Sequence, residues 1–192
     1  MHRPVILVDH DPEWKRLAAD EACRIGEALG EALVAIHHIG STSIPGIKAK
    51  PIIDLVGVVR DLPSLEARNP SLEKIGYLPR GEAGIAGRRY FTKDIRGART
   101  HHLHCFVVGH SDIDRHLLFR DYLIAHRQAA FEYQRLKEDL ARKFPDDSAA
   151  YTEAKTPFIR RTDDAAREWA ADTCPRLPVG DGGLPLGLDP GS

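Results

Sequence analysis

Residues 52–59, IIDLVGVV, form an apolar run broken by a single carboxylate, Asp54. No other stretch constrains the fold as strongly. Ile52, Asp54, Val56 and Val58 alternate with Ile53, Leu55 and Val59, so both faces are apolar. That is the pattern of a central strand covered on both sides, predicted here over Pro51–Val59. An ionised carboxylate inside such a strand needs an ion pair, a cation or a cleft, because burying it bare is costly. The residues leading into the strand, HHIGSTSIPGIKAK from His37 to Lys50, point to a cleft. Their small-residue turn, Gly40-Ser41-Thr42, offers backbone N–H groups and hydroxyls to an anion. Lys48 and Lys50 follow it, and Lys50 is a candidate ligand for the substrate. Turn and acid together predict an anion-and-metal site.

The remaining chain bounds that site. Its 192 residues suit one domain with a real core. A net charge of −1 argues against broad binding to nucleic acid or anionic membrane, so any basic site must be local. Cys23, Cys105 and Cys174 are far apart and form no Cys-x-x-Cys pair, which reads as reduced thiols in the cytoplasm. No run approaches the ~20 apolar residues of a membrane span, and the N-terminus lacks the apolar core of a signal peptide. A cytoplasmic protein of open oligomeric state is expected.

Read in order, Val5–Val8 is a predicted strand. Asp11-Pro12 then starts a helix that buries Trp14, Leu17, Ala18, Ile25 and Leu29 and ends near Gly30. Leu33–Ile39 is a strand. Leu62–Leu78 reads as helix, with Pro70 ending or breaking it. Gly81–Gly87 is a glycine-rich loop. Arg88–Lys93 and Thr100–Val108 form a hairpin, with His102, His104 and Phe106 on one face of its second strand and His101, Leu103, Cys105 and Val107 on the other. Helices follow from Ser111, over Gln128–Phe144 and over Ala149–Asp172, where Pro157 marks a kink or a first turn. The predicted class is α+β, a small mixed sheet flanked by helices with a C-terminal helical half. One domain is assigned to residues 1–174, and the Pro- and Gly-rich residues 175–192 are read as a disordered tail.

Several side chains can carry chemistry. A strand, a Gly-Ser turn and a second strand bearing an acid is the order of nucleotidyltransferase-type sites. There the turn holds phosphate and the acids hold Mg²⁺ against the charge of a phosphoryl group in transfer. Gly40, Ser41 and Thr42 are the candidate phosphate turn. Asp54 is the candidate catalytic acid and metal ligand, or else a partner of Lys50 or an arginine. A two-metal strand reads Asp-x-Asp, and here Val56 occupies the second position. Glu82 in the glycine loop is the candidate for the missing acid, or an arginine's partner. His102 and His104 share a strand face and with Asp54 can form a site of two imidazoles and one carboxylate. Mg²⁺ or Mn²⁺ is the expected cation, with a transition metal as the alternative. His102 can instead bind phosphate. Arg80, Arg88, Arg89, Lys93, Arg96 and Arg99 make a local basic patch, from which Arg88 and Arg89 are the candidate phosphate ligands. Tyr151 and Lys155 share a helix face, and Lys155 is a further candidate or a surface lysine.

These residues resemble a known family. HHIGSTSIPGIKAKPIIDLVGVV resembles the hallmark segment of the GrpB family, a group of UPF0157 type with a minimal nucleotidyltransferase-like fold. VDHDPEW, GEAGIAGRRYFTKD, THHLHCFV, HLLFRDYLIAH and DDSAAYTEAKTPFI resemble its other blocks in the same order, across about residues 4–161. The resemblance implies that Gly40, Ser41 and Asp54 fall where the superfamily places its turn and first acid. It implies binding of a nucleotide or phosphorylated small molecule, and metal-dependent nucleotidyl transfer as the candidate activity. The alternatives are a non-catalytic phosphate- or nucleotide-binding module, favoured by Val56, and a His/Asp metal-binding protein. Some members of the family are fused to dephospho-coenzyme A kinase; no Gly-x-x-x-x-Gly-Lys-Ser/Thr pattern occurs in these residues.

Overall fold

A computed structural model describes residues 4–173. Cys174 and the predicted tail at 175–192 lie outside the described residues. The chain forms α1 (Glu13–Leu29), β1 (Leu33–Ile39), β2 (Ile53–Val59), α2 (Leu62–Glu66), α3 (Asn69–Lys74), β3 (Tyr77–Pro79), β4 (Arg89–Ile95) and β5 (Ala98–Val107). The helices α4 (Ser111–Ala125), α5 (Arg127–Lys143), α6 (Ser148–Ala154) and α7 (Thr156–Thr173) follow. The class is α+β, as the sequence predicts.

The five strands form one mixed sheet in the order β1-β2-β5-β4-β3. Only β2 and β5 run parallel; the other pairs are antiparallel. The apolar run is therefore an interior strand, with a neighbour on each side. On one face, Ile53, Leu55, Val59, Leu103, Cys105 and Phe91 pack against Trp14, Ala18, Ile25 and Leu29 of α1 and against Leu65 and Leu72. On the other, Val56, Val58 and Phe106 pack against Ile113, with Leu117 beside them, so α4 covers this part of the face. The helical half has its own core, in which Leu123, Ala130, Tyr133 and Phe158 close over Ile44 and Ile47. The segment between the Gly40 turn and β2 is thereby clamped between sheet and helices.

Some expectations need correction. Val5–Val8 is not a strand of the sheet. It meets a loop, and among the described residues its ladder contact is one bridge between Val8 and Ala49. Leu62–Leu78 is two short helices, with Pro70 in the first turn of the second, followed by the unpredicted edge strand β3. Pro70 lacks the N–H that a continuous helix would require there. Pro157 likewise sits in the first turn of α7 after a break at Lys155. Leu17 is 42% exposed and leaves the α1 stripe, whereas Glu21 is only 3% exposed within it. The β4–β5 hairpin turns on Arg96 and Gly97, both at positive φ, as a two-residue connection requires. No helix among the described residues is long and apolar enough to cross a membrane.

Candidate functional site

Parallel pairing of β2 with β5 sets Asp54 beside His102 and Val56 beside His104. Antiparallel pairing of β4 with β5 adds Tyr90 beside His104. His102 Nδ1 donates to Asp54 Oδ1 at 2.7 Å, because an ionised carboxylate can only accept. Neutral His102 therefore keeps its lone pair on Nε2. Asp54, His102 and His104 each offer a ligand atom within 4.8 Å of the others. Burial pushes the Asp54 carboxyl up, but the His102 hydrogen bond and the nearby His102, His104 and Lys155 outweigh it. The group is held below the usual carboxylate range and is ionised. Its side chain is 26% exposed, so a ligand can reach it.

His104 is fixed differently. Arg88 Nη1 donates to its Nδ1 at 3.1 Å, which leaves the hydrogen on Nε2. As it stands, His104 presents a donor suited to an anion. It becomes a cation ligand through Nε2 only if Arg88 releases Nδ1. Asp54 can take a divalent cation directly, and His102 joins it as a ligand only by giving up its bond to Asp54, because Nε2 points away from the carboxylate that Nδ1 faces. Arg88 also donates to the carbonyls of Glu82 and Ala83, and its guanidinium lies over the Tyr90 ring. One buried side chain thus ties the 81–87 loop to β5.

The Gly40 turn abuts the acid. Gly40 has φ 71°, and a Cβ there would lie 2.6 Å from Asp54 Oδ2. Only glycine permits both the backbone conformation and the approach. Thr42, expected to hold phosphate, is buried; its hydroxyl bonds His38 Nε2 at 2.9 Å and the Ile52 carbonyl at 3.3 Å. It pins the turn to β2. Ser41 is half-buried, and its hydroxyl meets the Tyr133 phenol.

Two lysines complete the cleft. The Lys50 and Lys155 ammoniums lie 5.2 and 4.8 Å from the centroid of one ring, Tyr151. Lys50 donates to Ser148 Oγ at 3.2 Å. Among the described residues neither ammonium has a carboxylate within 4.0 Å. Burial lowers both from the ordinary lysine value; their mutual repulsion lowers Lys50 further, and Asp54 opposes the shift in each.

Other candidates lie elsewhere. Arg89 projects to the opposite sheet face, beside Cys105 in register, and pairs with Glu66 at 2.6 Å. The Glu82 carboxylate accepts from the Gly87 N–H at 2.7 Å and sits 3.7 Å from Arg89. It closes its own loop and is not part of the Asp54 group. Val56 is fully buried among apolar side chains. The structure adds Tyr90, His116, Tyr133 and Lys137, which the sequence reading did not assign to the site. Tyr90 was legible in the alternation of β4. Lys137 sits four residues after Tyr133 on one face of α5, but a lysine in a polar helix reads as surface.

Burial pushes His38 and His116 down to about 4 and His104 to about 3, so all three are neutral in the folded protein at pH 7. Unfolded, they titrate near 6.5 (roughly). Their contribution to stability is therefore complete above that value and declines as pH falls toward the folded values. Metal-free protein is expected to take up roughly two to three protons on unfolding near pH 5.5 from these histidines. Urea titrations across pH 5–7 read this as a slope, and a flat profile would contradict the burial.

Fold and site together define a small α+β protein whose mixed sheet and helical half enclose one carboxylate–imidazole–lysine cleft. The chain belongs to the GrpB family: the family model described as GrpB protein matches residues 4–165. The crystal structure of conserved protein GrpB from Enterococcus faecalis superposes with a TM-score of 0.81 at 36% identity, covering 85% of this chain and 99% of that one. The UPF0157 protein YqkA of Bacillus subtilis is 42% identical over 167 residues, which are 87% of this chain and 48% of that protein. The chain thus spans about half the length of that relative. A dephospho-CoA kinase of Mycolicibacterium paratuberculosis is 30% identical over 195 residues, covering 88% of this chain and 48% of the kinase.

Proposed function

We propose that the cleft binds a nucleotide or other phosphorylated small molecule together with a divalent cation, and that metal-dependent nucleotidyl transfer is the chemistry it serves. One observation carries this reading. An ionised carboxylate with two imidazoles within 4.8 Å faces two half-buried lysines that have no carboxylate partner among the described residues. A cation on Asp54 and His102 and an anion on Lys50 and Lys155 would balance the charges of both halves. The cation, when bound, supplies charge neutralisation at the phosphoryl oxygens. Asp54 holds its place, Gly40 and Ser41 line its flank, and His104 offers its Nε2–H to a phosphate oxygen. Arg88 reaches the ligand only through His104. The relative named dephospho-CoA kinase supports a link to phosphorylated small molecules. Free thiols at Cys23 and Cys105 support a reducing, cytoplasmic setting.

An imidazole in the donor set favours Mn²⁺ over Mg²⁺, which prefers oxygen and keeps its waters. Calorimetry is expected to show nucleoside triphosphate binding strengthened about tenfold or more by Mn²⁺ and less by Mg²⁺. Binding of no phosphorylated ligand under either cation would sink the reading. Val56, fully buried where a second acid would stand, favours a second reading, a binding module without turnover. Labelled nucleoside triphosphates with candidate acceptors separate the two: transferred label supports catalysis, and binding without product supports the module.

A further inference from the structure

The helical side of the cleft holds more positive charge than any metal-linked role for Asp54 requires. Besides Lys50 and Lys155, Lys137 lies only 2% exposed, its ammonium 4.7 Å from the Tyr133 centroid and donating to the Lys48 carbonyl. Burial first, then Lys155, pushes Lys137 down to about 7. Among the described residues no carboxylate lies within 4.0 Å of Lys137 either. Three lysines are thus gathered on two tyrosine rings with, among the described residues, no carboxylate in contact; Asp54 and Glu138 act on them only from further away. Their packing on aromatic faces also keeps Lys50 and Lys155 from swinging out into water, as free lysines do. Such an arrangement is preorganised for a ligand carrying several negative charges.

The aromatic rings around the cleft are engaged already. Tyr151 carries Lys50 and Lys155. Tyr133 stacks on Phe158 at 5.1 Å and 13° and carries Lys137. Tyr90 carries Arg88 and abuts His102 and His104 at 5.6 and 5.0 Å. A nucleobase is held by stacking on an open aromatic face; Tyr133 and Tyr151 are buried and offer none, and Tyr90 carries Arg88.

We propose that Lys50, Lys155, Ser41 and Tyr133 form a phosphate-chain subsite, with Lys137 buried behind it, that reads the phosphates of its ligand and is indifferent to the base. This rests on the reading that the cleft takes a phosphorylated ligand. Lys50 and Lys155 contact the chain, and the Ser41 and Tyr133 hydroxyls border it. Lys137 is too buried to touch the chain and backs the subsite through the Tyr133 ring and the Lys48 carbonyl. The ligand class is a tri- or polyphosphate, whether or not it carries a nucleoside.

The full chain is titrated calorimetrically in Mn²⁺ with ATP, GTP, CTP, UTP, inorganic tripolyphosphate and the four nucleosides. The five phosphate ligands are expected to bind within about threefold of one another, and the nucleosides to give no heat. Lys155→Gln and Lys50→Gln are each expected to weaken all five by about tenfold, without changing their order. One nucleotide binding tenfold tighter than the rest and than tripolyphosphate would overturn base indifference while leaving the wider reading intact. Absence of binding by any phosphate ligand would overturn both. The ligand series uses unaltered protein, so it decides even if a lysine variant misfolds.

Discussion

Asp54→Ala is expected to lower Mn²⁺ affinity by about a hundredfold or more, and metal-linked nucleotide binding with it. Asp54 is the one carboxylate in its group, and the other two members are imidazoles. Without it, uncharged imidazole alone would have to hold a dication beside Lys155, whose charge repels it. The fold should survive, because Asp54 occupies an edge of the cleft and its own burial opposes ionisation. Asp54→Asn separates charge from shape: it keeps an acceptor for His102 Nδ1 and leaves Gly40 its close neighbour, yet should lose the cation equally. Calorimetry with Mn²⁺ measures affinity, and far-UV circular dichroism checks the fold. Wild-type affinity in either variant would remove Asp54 from the mechanism.

Glu21→Ala is expected to be the most damaging single change to stability. Lys93 Nζ and Glu21 Oε1 lie 2.7 Å apart, with both side chains almost fully buried under α1. The Lys93 stem also fills the space over Gly76, and its ammonium lies over the Tyr77 ring. Removing the acid strands a buried ammonium, which costs about 3–5 kcal/mol. For a chain of this size that is a fall in Tm of roughly 6–20 °C. The pair is weak evidence of net stabilisation, because desolvating both charges offsets their attraction. Glu21→Leu combined with Lys93→Met should therefore recover most of the loss. Thermal unfolding of the single and double variants tests this, and a Tm within 2 °C (roughly one kcal/mol or less) of wild type for Glu21→Ala would refute it.

Glu21 also shows where sequence reading falls short. The α1 stripe is legible because apolar residues recur at helical spacing, but an acid within the stripe gives no sign of being buried. Its partner lies 72 positions away on another strand. Lys137 escapes notice for the same reason: its carbonyl acceptor at Lys48 lies 89 positions earlier. Glu82 fails in the opposite direction. An acid near arginines in a glycine loop looks available to the cleft, and only the folded loop shows it bonded to the Gly87 N–H. Arg88 and Arg89 must point to opposite faces of β4, but alternation alone does not say which faces the cleft.

From sequence alone, the central strand, the Gly40 turn, the face shared by His102 and His104, the α+β class and the family blocks could all be read. Each rests on local chemistry: a period of two, a small-residue turn, or a helix start. Tertiary structure alone decided that β2 and β5 lie side by side and in parallel, with Asp54 opposite His102. A one-residue slip would have set Asp54 opposite Leu103 and turned the histidines to the other face. It also decided that Lys155, at the end of α6, comes near the acid and that α5 brings Lys137 near Lys155. Those pairings are contacts between distant segments, selected by which faces can be buried together, and local pattern carries no record of them.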